Sequence, residues 1–201
     1  MLFRSPLKDI GPHPPEIVKR MHNASLLAGV GPMASVAGAS AQMAAEAAIA
    51  AGAREAVVEN GGDIYLVTRN SGRETAIALY AGTSLLSGRI AALIKPEDTP
   101  LSICSSSSMM GHSASFGSCD LATVVSADAA LADAAATLAC NLVREESDIE
   151  HALGKVVSIK GVQGILIVKG AKTGIAGRFP EIVKNLDPET GGKITKEISR
   201  S

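Results

Sequence analysis

Residues 130–143 read ALADAAATLACNLV, a stretch with helical character built almost entirely of alanine and leucine, yet it carries one aspartate, Asp133. On a helix, residues four apart share a face, so the Asp133 carboxylate and the Thr137 hydroxyl point together, with Cys140 about one turn further along. Leu131, Leu138 and Leu142 lie on another side. Two readings follow. Either Asp133 faces water while Thr137 bonds back to a backbone carbonyl, or the pair holds a hard cation such as magnesium, completed by water and substrate phosphate.

The rest of the chain bounds the choice. Its 201 residues suffice for one domain with a proper core. A formal net charge of -1 with 19% charged residues offers no electrostatic footprint for nucleic acid or anionic lipid, so neither is an expected partner. The three cysteines, Cys104, Cys119 and Cys140, cannot all pair, show no C-x-x-C spacing and have no histidine cluster beside them, which points to a reducing, cytoplasmic setting. The opening MLFRSPLKDIGPHPPEIVKRM lacks the apolar core of a signal peptide. Met43 to Ala51, the most apolar helical run, is interrupted by Glu46 and is too short to cross a bilayer, which takes ~20 apolar residues.

The order of elements alternates between helix and strand. Pro15 starts a short helix through EIVKRMHNASLLA, Gly31 caps a long helix that begins at Pro32, and Gly52 closes it. Ala34, Ala37, Gly38 and Ala41 give that helix a small-residue face suited to close approach. Three β-rich runs follow, separated by Gly61-Gly62-Asp63 and by Asn70-Ser71-Gly72, and read as an antiparallel meander. Further strands are expected at about 90–94 and 101–104. The polar loop SSSSMMGHSASFGSCD leads to the strand LATVVS, the Ala-rich helix, a short helix near 148–153 and the strand GILIVKG. This mixture predicts a single α+β domain with a largely antiparallel sheet packed against helices, over residues 15–184, with an irregular segment 1–14 and a polar tail 185–201.

AGVGPMASVAG carries glycines in a G-x-G-x-x-A arrangement, but it follows a helical pattern instead of a strand, so the dinucleotide-binding reading fails. Free N–H groups at the start of the Pro32 helix suit a phosphate or carboxylate; the plainer account is a capped helix packed tightly through glycine.

Several of these stretches resemble a known family. VSADAALADAAATLACNLV is similar to the helix of the ApbE flavin transferases, in which an aspartate and a threonine hold magnesium; the matching positions are Asp133 and Thr137. AREAVVENGGDIYLV resembles the ApbE strand-turn-strand, and GVGPMASVAG stands where ApbE has its glycine-containing turn into a helix. A small ApbE-like family of unassigned function is closer still, through AGVGPMASVAG, VENGGDIY and ICSSSSMMGHSASFG. The resemblance implies an ApbE-like, T-fold-related domain, magnesium at Asp133 and Thr137, and a flavin or other nucleotide, FAD above all, along Gly31, Pro32, Met33, Gly61, Gly62, Asp63, Ser105 and Ser106. It also implies metal-assisted transfer of part of that nucleotide to an acceptor. The part of ApbE enzymes that helps close over FAD has no counterpart here, so weaker FAD binding is expected.

A second reading, of a different class, is sulfur handling or a carrier role centred on Cys104 with His112, in which a thiolate of lowered pKa holds a persulfide. The plain alternative for Cys104 is a small apolar core residue. Few aromatic residues are available to stack on a flavin ring: Tyr65, Tyr80, Phe116 and Phe179 are the candidates, and each is expected in the core. Ala- and Gly-rich helix faces suit close packing between subunits, so a homodimer is the expected assembly.

Overall fold

In the computed structural model, residues 5–7, 9–82, 84, 86–108 and 117–186 are described. Four helices, α1 (Glu16–Ala28), α2 (Val36–Ala50), α3 (Ala129–Leu142) and α4 (Ile149–Val157), accompany nine strands: β1 (Ala56–Asn60), β2 (Asp63–Val67), β3 (Thr75–Leu79), β4 (Ile90–Ile94), β5 (Leu101–Ser106), β6 (Leu121–Ser126), β7 (Val162–Lys169), β8 (Lys172–Gly177) and β9 (Glu181–Lys184). Six strands form one sheet in the order β1-β2-β5-β6-β7-β8, and three form another in the order β3-β4-β9. All pairings are antiparallel.

The large sheet is covered on both faces, which explains why its central strands are almost continuously apolar. Tyr65, Cys104, Val124, Ile165 and Ile167 face the helices, whereas Leu66, Ile103, Val125, Leu166 and Val168 face the small sheet, where they meet Leu79, Ala92 and Ile94. Each fully buried leucine or isoleucine contributes about 1.5–3 kcal/mol. The meander expected over the first three strands is corrected here. β1 and β2 do form a hairpin, but β3 leaves it and pairs with β4 in the second sheet.

On the helical side, α3 is the central element. One flank packs on the large sheet, and Ala130, Leu131 and Ala134 pack against Met21, Ala24, Ala28, Val30, Ala34 and Ala39 of the α1–α2 corner. A helix apolar on every side is a buried helix, and alanine is what lets backbones crowd around it. Asp128 caps it, its Oδ1 accepting from the N–H of Leu131 at 3.1 Å, and Gln42 Oε1 accepts from Ala129 N–H at 2.8 Å. The turn before α2 runs as expected from Gly31, although Pro32–Ser35 is a 3-10 turn and the α-helix proper starts at Val36. Among the described residues, no single helix is long and apolar enough to cross a membrane.

Candidate functional site

Three acidic or thiol groups from three elements meet beside the start of α2. Asp63 and Cys104 are directly opposite one another on β2 and β5, and Asp133 reaches the same place from α3. Asp63 owes its position to the two-residue hairpin turn Gly61-Gly62, whose φ values of 65° and 100° only glycine adopts without strain. A Cβ at Gly61 would meet nothing within 4 Å. The need at this turn is therefore conformational.

Asp133 does not answer to the solvated-face reading of its helix. Only 9% exposed, it is not a solvated residue. Its Oδ2 accepts from the N–H of Gly38 at 2.9 Å, and the carboxylate also accepts from the N–H of Ala37. The protein's own carboxylate thus occupies the anion-binding start of α2 that the sequence suggested for a phosphate. Such contact is possible only because residue 38 is glycine: a Cβ there would lie 2.3 Å from the carbonyl oxygen of Ala129 and 2.9 Å from Asp133 Cβ.

Asp63 Oδ1 accepts from the N–H of Ser105 at 3.2 Å. The Cys104 thiol donates toward the carbonyl of Ala129 at 3.6 Å and lies beside the Asp63 carboxyl. Burial pushes Asp133 up to about 7 in spite of its two backbone donors. Burial, then the charge of Asp133, drives Asp63 well above the usual carboxylate range. The same causes act on Cys104. Burial first, then the charges of Asp63 and Asp133, hold its thiol protonated. The expectation of a lowered Cys104 pKa is therefore overturned, because the end of β5 lies under α3 and not at an open polar loop. Its partner in that reading, His112, lies outside the described residues.

The other expected site residues divide between this cluster and the core. Thr137 is buried on α3 one turn beyond Asp133. Ser105 and Ser106 point to opposite faces of β5: Ser105 Oγ shares a hydrogen bond with Thr123 Oγ1 at 2.9 Å, while Ser106 Oγ is buried without a partner. Pro32 is buried, and Met33 packs on the α1–α3 cluster. Tyr65 is buried in the apolar cluster under the helices, and the half-buried Phe179 packs against the cluster between the sheets. Among the described residues, no group of three or more His, Cys, Asp or Glu side chains is placed to hold a metal ion. As donors, two carboxylates with the hydroxyls of Thr137 and the unpartnered Ser106 still suit a hard cation better than zinc.

A second thiol cluster was not anticipated. Cys119 leads into β6 and Cys140 lies in the last turns of α3; both are fully buried in one apolar cluster, and their thiols neighbour one another. The neighbouring Cys140 thiol, with burial, pushes the Cys119 thiol far up. No spacing rule announces such a pair, since residues 120–139 separate its members.

The UPF0280 protein of Methanocaldococcus jannaschii is 43% identical over 191 residues, covering 92% of this chain and 76% of the relative. That of Methanocella arvoryzae is 44% identical over 183 residues, covering 90% and 72%. The chain belongs to the UPF0280 family. A family model described as AbpE bacteria matches residues 1–160. Among solved structures, this UPF0280 fold is similar to the apo flavinyl transferase ApbE of Pseudomonas stutzeri, with a TM-score of 0.51 and 14% identity over 74% of this chain and 48% of that one. It is likewise similar to the flavin transferase ApbE of Vibrio cholerae, with a TM-score of 0.50 and 17% identity over 76% of this chain and 50% of that one. The chain thus spans about half the length of these transferases. At such identities the likeness is one of fold, an α+β domain of the ApbE type.

Proposed function

We propose that this protein works through cysteine thiols, as a sulfur-handling or carrier protein on an ApbE-type scaffold. The observation that carries the reading is the Cys119–Cys140 pair, two thiols from different elements that neighbour one another in one buried cluster of the core. The working thiol is therefore moved from Cys104, which stands alone against the Asp63 and Asp133 carboxylates, to this pair, in which one thiol faces another. A sulfane-sulfur donor R–S–SH passes its outer sulfur to one thiol. The donor S–S bond breaks, a new S–S bond forms on the cysteine, and R–SH leaves with the cysteine proton. Burial suits the product, because water and oxidants destroy exposed persulfides. After incubation with inorganic polysulfide and desalting, the intact mass is expected to rise by one sulfur atom. That gain should be lost in Cys119→Ala with Cys140→Ala and kept in Cys104→Ala. Retention of sulfur by the double variant, or no uptake by the parent, overturns the reading.

A second reading rests on the facing carboxylates. Asp63 and Asp133 are buried and repel one another, and a divalent cation held by them with Thr137 and Ser106 would relieve that repulsion. When bound, such a cation would neutralise pyrophosphate charge on a flavin or other nucleotide; the chain's own part is to hold the donors in place through Gly38, Ala37 and Ser105 N–H groups. In titration calorimetry, manganese is expected to bind weakly and to lose at least tenfold in affinity in Asp133→Asn. Equal binding by parent and variant removes this reading. Tight, magnesium-dependent FAD binding with release of AMP would establish it over the thiol reading.

A further inference from the structure

We infer that Cys119 and Cys140 form an intramolecular disulfide that locks the approach to β6 onto the C-terminal end of α3. The inference rests on the reading of this pair as the working thiols, but does not require that they carry sulfane sulfur.

The geometry is set by backbone contacts on both sides of the pair. At Gly117 a Cβ would lie 1.8 Å from the carbonyl oxygen of Cys140 and 2.7 Å from that of Val143, so the chain here runs directly against the end of α3. Ser118 N–H donates to the Val143 carbonyl at 2.9 Å, and its hydroxyl donates to the Arg144 carbonyl. One residue later, Cys119 turns its sulfur into the core toward the Val168 carbonyl, at 3.6 Å, and toward Cys140. On its other side, the Cys119 carbonyl accepts from the N–H of Ser108 at 2.9 Å. A disulfide needs its two Cα atoms within about 7 Å and its Cβ vectors converging. A segment whose backbone lies against the partner's own carbonyl, with both side chains in one buried cluster, meets that need with modest backbone movement. Cys104 is not a competitor, since its thiol is committed to Ala129 and Asp63 nearer the start of α3.

A small-molecule disulfide R–S–S–R is the oxidant class that balances the step. One cysteine sulfur, giving up its proton as it attacks, bonds to a sulfur of R–S–S–R, forming a mixed disulfide and releasing R–S⁻, which takes up that proton. The second cysteine then attacks the protein-side sulfur, closing the Cys119–Cys140 bond and releasing a second R–SH. The cysteines lose two electrons and the reagent gains them. The bond closes the loop through β6 and α3, the helix that carries Asp133 and Thr137. Loop closure of this size is expected to raise Tm by roughly 5–10 °C.

The test uses the full chain with oxidised glutathione, monitored by intact mass without reductant. Because the chain between Arg89 and Arg144 has Lys95, before Pro96, as its only internal lysine or arginine, trypsin leaves all three cysteines on one peptide. Cleavage at Met109, Met110 and before the aspartates puts them on three. The expected result is a loss of two hydrogens, a bond joining the Cys119 and Cys140 peptides, and a rise in Tm reversed by dithiothreitol. Cys104→Ala should retain this behaviour, and Cys119→Ala or Cys140→Ala should abolish it. Persistence of three free thiols, a bond to Cys104, stable mixed disulfides or covalent dimers would each overturn the inference. Disulfide formation without sulfur uptake from polysulfide would leave it standing while removing the sulfur-handling reading.

Discussion

Gly38→Val is expected to destabilise the protein by about 3–5 kcal/mol, lowering Tm by roughly 10 °C or more. The Cβ at this position would meet backbone, the Ala129 carbonyl, at 2.3 Å. Backbone at the capped start of a buried helix has no rotamer to change, so α2 and α3 must move apart. Separation would also stretch the Gly38 N–H to Asp133 hydrogen bond of 2.9 Å, and a charge-assisted bond of this kind contributes about 1.5–3 kcal/mol. Gly154→Ala is the matched control. Gly154 lies in α4 with nothing near its missing Cβ, so alanine there is expected to stabilise by about 0.5–1 kcal/mol. Urea unfolding of the two variants checks both. Equal stabilities would mean that α2 and α3 do not pack through Gly38.

Stability is expected to fall by a few kcal/mol between pH 4 and 8 through Asp133, in the presence of a chelator. The unfolded carboxyl titrates at 3.8 and the folded one at about 7, so between those values the folded state binds the extra proton. The stabilising contribution is fully present below 3.8 and is lost as pH rises through 7. Asp63, also raised by burial and by the Asp133 charge, acts in the same sense. Asp133→Asn keeps an acceptor for the Gly38 and Ala37 N–H groups without the charge. It should be more stable than the parent at pH 8 and show a flatter profile. A parent that gains stability from pH 5 to 8, with an asparagine variant that tracks it, would show that the carboxylates are not buried together.

Local signals made much of the fold readable. Gly61-Gly62 specified the β1–β2 hairpin because two positive φ angles in succession require glycine, and Pro32 after Gly31 marked the turn into α2. Runs such as LATVVS and GILIVKG were recognisable as strands from their apolar, β-branched content. β8 and β9 carry weaker local signals: KTGIAG breaks up its Thr173 and Ile175 with two glycines, and the short EIVK forms a strand through its pairing with β4.

The sequence by itself determined the α+β class, the principal helices and strands, and the small-residue face of α2, since periodicity, turn glycines and side-chain size act over a few neighbouring residues. Only the tertiary structure decided that β3 would leave the meander, that Asp133 would bind α2 instead of facing solvent, that Cys104 would stay protonated, and that Cys119 would meet Cys140. Each of these depends on contacts between segments far apart in the chain and on the water those contacts exclude. Burial sets both the protonation of a carboxylate or thiol and the partner it finds, and burial belongs to the packed layers rather than to any local stretch.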